Sequence, residues 1–135
     1  MNKHDRLTEL LLGQCMAEFD RAKGTNGRWP ERAVFILKDR FHHKFFGLGK
    51  PARAWVYDGV CLDEINVSEA EDYLNTESNR IYYRVARFSF AFPEDMSTAR
   101  LSASLGPKSG SIYRYDVLCA DGIISLGKRR LEGMS

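Results

Sequence analysis

Asp58 follows Trp55 and Tyr57 on a stretch, 53–61, that reads as a strand. A carboxylate beside aromatic walls is the residue type a general base requires once its surroundings shift its pKa. Arg87 and Tyr83, on a later strand, are types that polarise a substrate oxygen. One chemistry in these residues is therefore proton abstraction by Asp58 in a pocket lined by Trp55, Tyr57, Tyr83, Tyr113 and Tyr115. An aspartate directly before glycine is also a common turn residue, which is the simpler reading of Asp58. The tyrosines have core packing as their simpler role, although buried hydroxyls need partners and often border water.

Other groups are weaker. His42 and His43 sit beside Asp39 and Arg40, and histidine titrates near neutrality. Neighbours on an extended chain point to opposite sides, so a surface pair is the simpler reading. Gly106-Pro107-Lys108-Ser109-Gly110-Ser111 lacks the Gly-Lys-Ser order between strand and helix that cradles phosphate, and reads as a hairpin loop. Cys15, Cys61 and Cys119 are an odd number of cysteines without a C-x-x-C pair, and the histidines are not spaced with them as zinc ligands. They read as packed thiols in a reducing compartment, with no metal and no cofactor expected.

The charge layout is the least ordinary feature. From Arg21 to Arg53 the chain carries nine Lys or Arg against Glu31 and Asp39. From Ala54 to Asn79 it carries seven carboxylates and no Lys or Arg. The two segments either pair with each other across the fold, or one of them is an interaction surface. An acidic surface steers a basic partner by its summed field. Asp63, Glu64, Glu69, Glu71 and Asp72 are the candidate partner-binding residues. The basic segment, with Trp29, Phe41, Phe45 and Phe46, has the residue types that hold single-stranded nucleic acid. A net charge of only +2 speaks against that partner.

Several elements must position these residues. Leu7, Leu11, Cys15 and Phe19 repeat at four-residue spacing, which predicts a helix over about 6–23, with Asp5 as cap. Ala33 to Leu37 reads as a short buried strand, and whether it joins the main sheet is open. Ser68-Glu69-Ala70-Glu71 is a capping box that opens a short helix ending near Asn75. Arg80 to Phe92 changes alternation phase midway, which predicts a bulge near Ala86-Arg87. Strands follow over 99–105, 113–119 and 123–131, the last two joined at Asp121-Gly122. Lys128, Arg129 and Arg130 read as an edge guarded by charge.

At 135 residues, 44% apolar and 28% charged, the chain fits one globular domain spanning 1–135. No apolar run approaches the ~18 residues of a membrane span, and the N-terminus does not read as a secretory signal. The expected fold is α+β: a long N-terminal helix packed on a curled antiparallel sheet of about five to six strands, with one short additional helix.

A helix followed by a bent meander, ending in Gly106–Tyr115 and Ala120-Asp121-Gly122, resembles the nuclear-transport-factor-2-like, cystatin-like cone fold. The likeness is carried mainly by the C-terminal third, and the apolar run Ala33–Leu37 stands where that family usually has further helices. The resemblance implies a concave sheet with a pocket, and small bacterial members include immunity proteins. The expected function is a non-catalytic cytoplasmic binding protein, an immunity-type inhibitor holding a protein partner through a charged surface. The alternative is a small-molecule enzyme or carrier of the same fold type, with Asp58, Arg87 and Tyr83 as catalytic residues. Neither membrane nor nucleic acid is an expected partner, and the oligomeric state, a dimer included, is open.

Overall fold

Four-residue spacing of apolar side chains puts them on one helical stripe. In the computed structural model Leu7, Leu11, Cys15 and Phe19 occupy that stripe on α1 (Lys3–Ala22), each at most 1% exposed. The described residues are 2–22, 30–39, 49–77, 85–106 and 109–134. Asn2 caps the helix, not Asp5: the Asp5 amide donates to Asn2 Oδ1 at 2.8 Å. The third amide of the helix thereby gains its missing acceptor, and α1 starts earlier than its apolar stripe predicts.

The strands are β1 (Arg32–Lys38), β2 (Pro51–Tyr57), β3 (Leu62–Ile65), β4 (Val85–Ala91), β5 (Thr98–Gly106), β6 (Ser109–Ala120) and β7 (Ile123–Met134). A second helix, α2 (Val67–Glu77), connects β3 to β4. Among the described residues these seven strands form one sheet in the order β3-β2-β1-β4-β5-β6-β7. The expected α+β class holds, while the count of five to six strands does not. The additional strand is β3, whose central Asp63 and Glu64 are poor strand formers and whose outer edge is unpaired among the described residues.

Ala33–Leu37 lies at the centre of the sheet, between β2 and β4. β1 pairs parallel to β4, with α2 in the crossover, and the other neighbours are antiparallel. The sheet is therefore mixed. Both faces of β1 are covered, which is why its five apolar residues run without alternation. Ala33, Phe35 and Leu37 face α1, while Val34 and Ile36 join Ala54, Ala70 and Val85 in a second core beneath α2.

The same two-sided burial corrects the bulge expected near Ala86-Arg87. β4 pairs with β1 without a break from Val85 to Phe90. Val85 belongs to the α2 core, and Ala86, Phe88 and Phe90 belong to the α1 core, so the change of phase needs no extra residue. Register shifts fall elsewhere, at Leu37/Lys38, Ser104/Gly106, Ile112/Tyr113 and Tyr115/Val117. Such irregularities bend strands, and they accompany the curl of the sheet against α1. α2 begins at Val67, one residue before Ser68, so Asn66 stands at the cap and its carbonyl accepts from the Ala70 amide at 3.1 Å.

Asp121 (φ 53°) and Gly122 (φ 77°) make the β6–β7 turn with two positive φ angles, as a two-residue hairpin requires. Gly122→Ala should cost about 1 kcal/mol in a denaturant titration, because a side chain is strained at that φ. Unchanged stability would contradict the turn geometry. Among the described residues no helix is long and apolar enough to cross a membrane.

Candidate functional site

The concave side of the sheet is filled. Phe88, Phe90 and Leu101 are at most 1% exposed and pack with α1. Phe88 meets Phe35 edge-on at 5.2 Å, and Trp55 stacks on Phe90 at 5.9 Å. Tyr115 lies in this core with its hydroxyl 3.5 Å from Gln14 Oε1, and burial pushes its phenol up to about 12. Tyr57 donates to Asp20 at 3.0 Å, and burial followed by that carboxylate raises its pKa. Tyr113 lies beneath the Arg129 guanidinium, 4.6 Å away, and Arg129 in turn pairs with the buried Glu18 of α1. These side chains tie α1 to β2, β6 and β7.

Trp55 does line an open cleft of about 550 Å³ at the margin of the sheet. Asp5 and Glu9 of α1 form one wall, and Arg53, Trp55 and Leu62 form the other. Arg53 lies over the Trp55 ring at 4.8 Å and grips Glu64 through two nitrogens, at 2.7 and 3.1 Å. That hydrogen-bonded guanidinium holds the Glu64 carboxyl below its ordinary range.

Asp58 and Arg87 are engaged separately. Asp58 Oδ1 accepts from the Cys61 amide at 2.7 Å and the Val60 amide at 2.9 Å, closing the turn from β2 to β3. Those two bonds, Cys61 first, hold its carboxyl below the ordinary value of 3.8. Arg87 pairs across from Val34 on the α2 side and donates to the Leu74 carbonyl at 3.1 Å. Trp55, Tyr57 and Tyr115 belong to the opposite face. Tyr83 lies outside the described residues, as do His42, His43, Pro107 and Lys108.

A carboxyl whose folded pKa is lowered stabilises the fold above its ordinary value, and that contribution fades as pH falls below it. Asp58→Asn keeps an acceptor for both amides while removing the titration. It should match the parent near neutral pH and lose stability less steeply below pH 3.8. Parallel acid-unfolding curves for the two proteins would contradict the turn role.

The acidic residues lie on β3 and α2. Asp63 and Glu64 are exposed on β3, an edge of the sheet among the described residues. Asp63 pairs with Val56, on the α2 side, and Glu64 with Trp55, on the α1 side. α2 buries Ala70 and packs Val67, Tyr73 and Leu74 against β1 and β2, leaving Glu69, Glu71 and Asp72 exposed. The cleft adds Asp5 and Glu9 on the other side of the same edge. These two were not singled out from the sequence, although their i,i+4 spacing on a helix was the available signal.

Between the oppositely charged segments the described residues show the Arg53–Glu64 pair. Cys15 is buried and Cys61 and Cys119 are exposed, all three as free thiols. Among the described residues no cluster of His, Cys, Asp or Glu is arranged to hold a metal ion. Comparison of the chain with protein-family models, curated proteins and solved structures gives no match.

Proposed function

We propose that the chain is a non-catalytic cytoplasmic binding protein that holds a basic protein partner through the acidic surface around β3 and α2. One observation carries this reading. Asp63, Glu64, Glu69, Glu71 and Asp72 stand exposed around an open sheet edge, while Phe88, Phe90 and Leu101 fill the concave face a substrate would occupy. An edge strand can accept a partner strand, and charge around it selects which partner approaches. An immunity-type inhibitor works in this way, competing for the basic surface of a toxin. The helix on a curled sheet is compatible with a cone-like fold, and membership of the nuclear-transport-factor-2-like group is part of this proposal.

The test uses the purified chain as bait in lysate of its own source, with mass spectrometry of the retained proteins. One stoichiometric basic partner, released as salt rises, is the expected result. Retention of nothing, or of acidic proteins only, would overturn the reading.

A second reading, a small-molecule enzyme or carrier, is favoured by the cleft beside Trp55 and Arg53. A ligand screen by thermal shift tests it, because a ligand that binds the native state raises the melting temperature. The catalytic form of this reading takes Asp58, which does not line the cleft, as the base, and Asp58→Asn would then abolish turnover.

A further inference from the structure

Thr98, Arg100, Ser102 and Ser104 alternate along β5 with Ala99, Leu101 and Ala103, which are buried on the α1 side. The four polar residues therefore share the outer face of the sheet. Arg100 pairs in register with Arg114 of β6, and Arg114 with Arg130 of β7. Three guanidiniums thus stand in one row across neighbouring strands, where like charges repel.

Two carboxylates answer them. Glu132 pairs with Arg100 at 2.9 Å and reaches Arg114 only at 3.8 Å, while Asp116 holds Arg130. The Arg114 side chain makes no hydrogen bond to any described residue, and its Nε is shielded from solvent without a partner among them. Thr98 Oγ1, on the residue paired with Asp116, is likewise shielded and has no partner among the described residues. Buried polar atoms nearly always have partners, and exceptions point to a missing ion or water. A guanidinium N–H and a hydroxyl both donate, so an acceptor satisfies both. An excess of positive charge in the row favours an anionic acceptor over water.

We propose that Arg114, flanked by Arg100, Arg130 and Thr98, centres an oxyanion site that takes a phosphate group. A guanidinium fork matches two oxygens of such a group, and the anion's charge relieves the repulsion along the row. Arg114 is 39% exposed and held by one long ion pair, so it is free to turn onto a ligand. This site lies on β5–β7, away from the β3 edge, and stands or falls independently of the acidic surface.

The experiment titrates inorganic phosphate against chloride at constant ionic strength, following backbone amide shifts by NMR. Saturable shifts centred on Thr98, Arg100, Arg114 and Arg130 are expected. Arg114→Gln should weaken binding by about tenfold or more, the loss of charge-assisted hydrogen bonds. Thr98→Val supplies a second variant should Arg114→Gln fold poorly, and it should weaken binding too. Arg6→Gln, on α1, should bind as the parent does. Shifts that do not saturate, or equal binding by the parent, Arg114→Gln and Thr98→Val, would overturn the site. Tighter binding of a nucleoside monophosphate than of free phosphate would assign a phosphate carried on a larger ligand. Equal binding would assign the free anion, and the site is supported in both cases.

Discussion

Phe88→Ala should lower the unfolding free energy by about 4 kcal/mol, the usual cost of deleting a buried phenyl ring. Phe88 is 1% exposed and links three elements, meeting Phe35 of β1 at 5.2 Å and Phe19 of α1 at 6.5 Å, both edge-on. Such pairs contribute about 1 kcal/mol beyond the apolar area they bury. The gap would not close easily, because β4 is hydrogen-bonded to β1 on one side and β5 on the other. A loss of that size is a large share of the ~5–15 kcal/mol that stabilises a typical domain. Urea unfolding of parent and variant measures it. A loss below about 1 kcal/mol would mean that α1 does not seal the concave face, and would return the weight of the argument to a pocket there.

The fold was legible where a residue pattern answered to one burial surface. The stripe from Leu7 to Phe19 has one face to bury and shows the helical period directly. Asp121-Gly122 announced its hairpin because few residues accept positive φ at both turn positions. Legibility failed where two surfaces compete for one strand. β4 serves the α1 core with Phe88 and Phe90 and the α2 core with Val85, so its pattern imitates a bulge. The parallel pairing of β1 with β4 was invisible because nothing local records which distant strand becomes a neighbour. β3 escaped notice because its Asp63 and Glu64 are set by the chemistry of an exposed edge, not by strand propensity.

The acidic surface was legible from charge alone, since a run of carboxylates without Lys or Arg has to be solvated or paired. The contribution of Asp5 and Glu9 was not, because it depends on where the first turns of α1 meet β2 and β3. Arg87 could not be assigned a side before β4 was in register with β1, and its register puts it across from Val34, under α2. The row of Arg100, Arg114 and Arg130 likewise exists only once β5, β6 and β7 are aligned.

The most direct test of the acidic surface replaces Glu69, Glu71 and Asp72 together with alanine and measures affinity for the partner captured by the parent chain. All three are exposed on α2, and alanine is the best helix former, so the melting temperature should shift by only a few degrees. An interfacial charge at a solvent-exposed rim is worth about 1 kcal/mol, so the three together amount to roughly a hundredfold in affinity at low salt. Most of that loss should appear in the association rate and should shrink as salt rises, since the carboxylates act through their summed field. A hundredfold weaker, less salt-sensitive complex from a variant that folds like the parent is the predicted result. Equal affinity and equal salt dependence would contradict a docking role for α2.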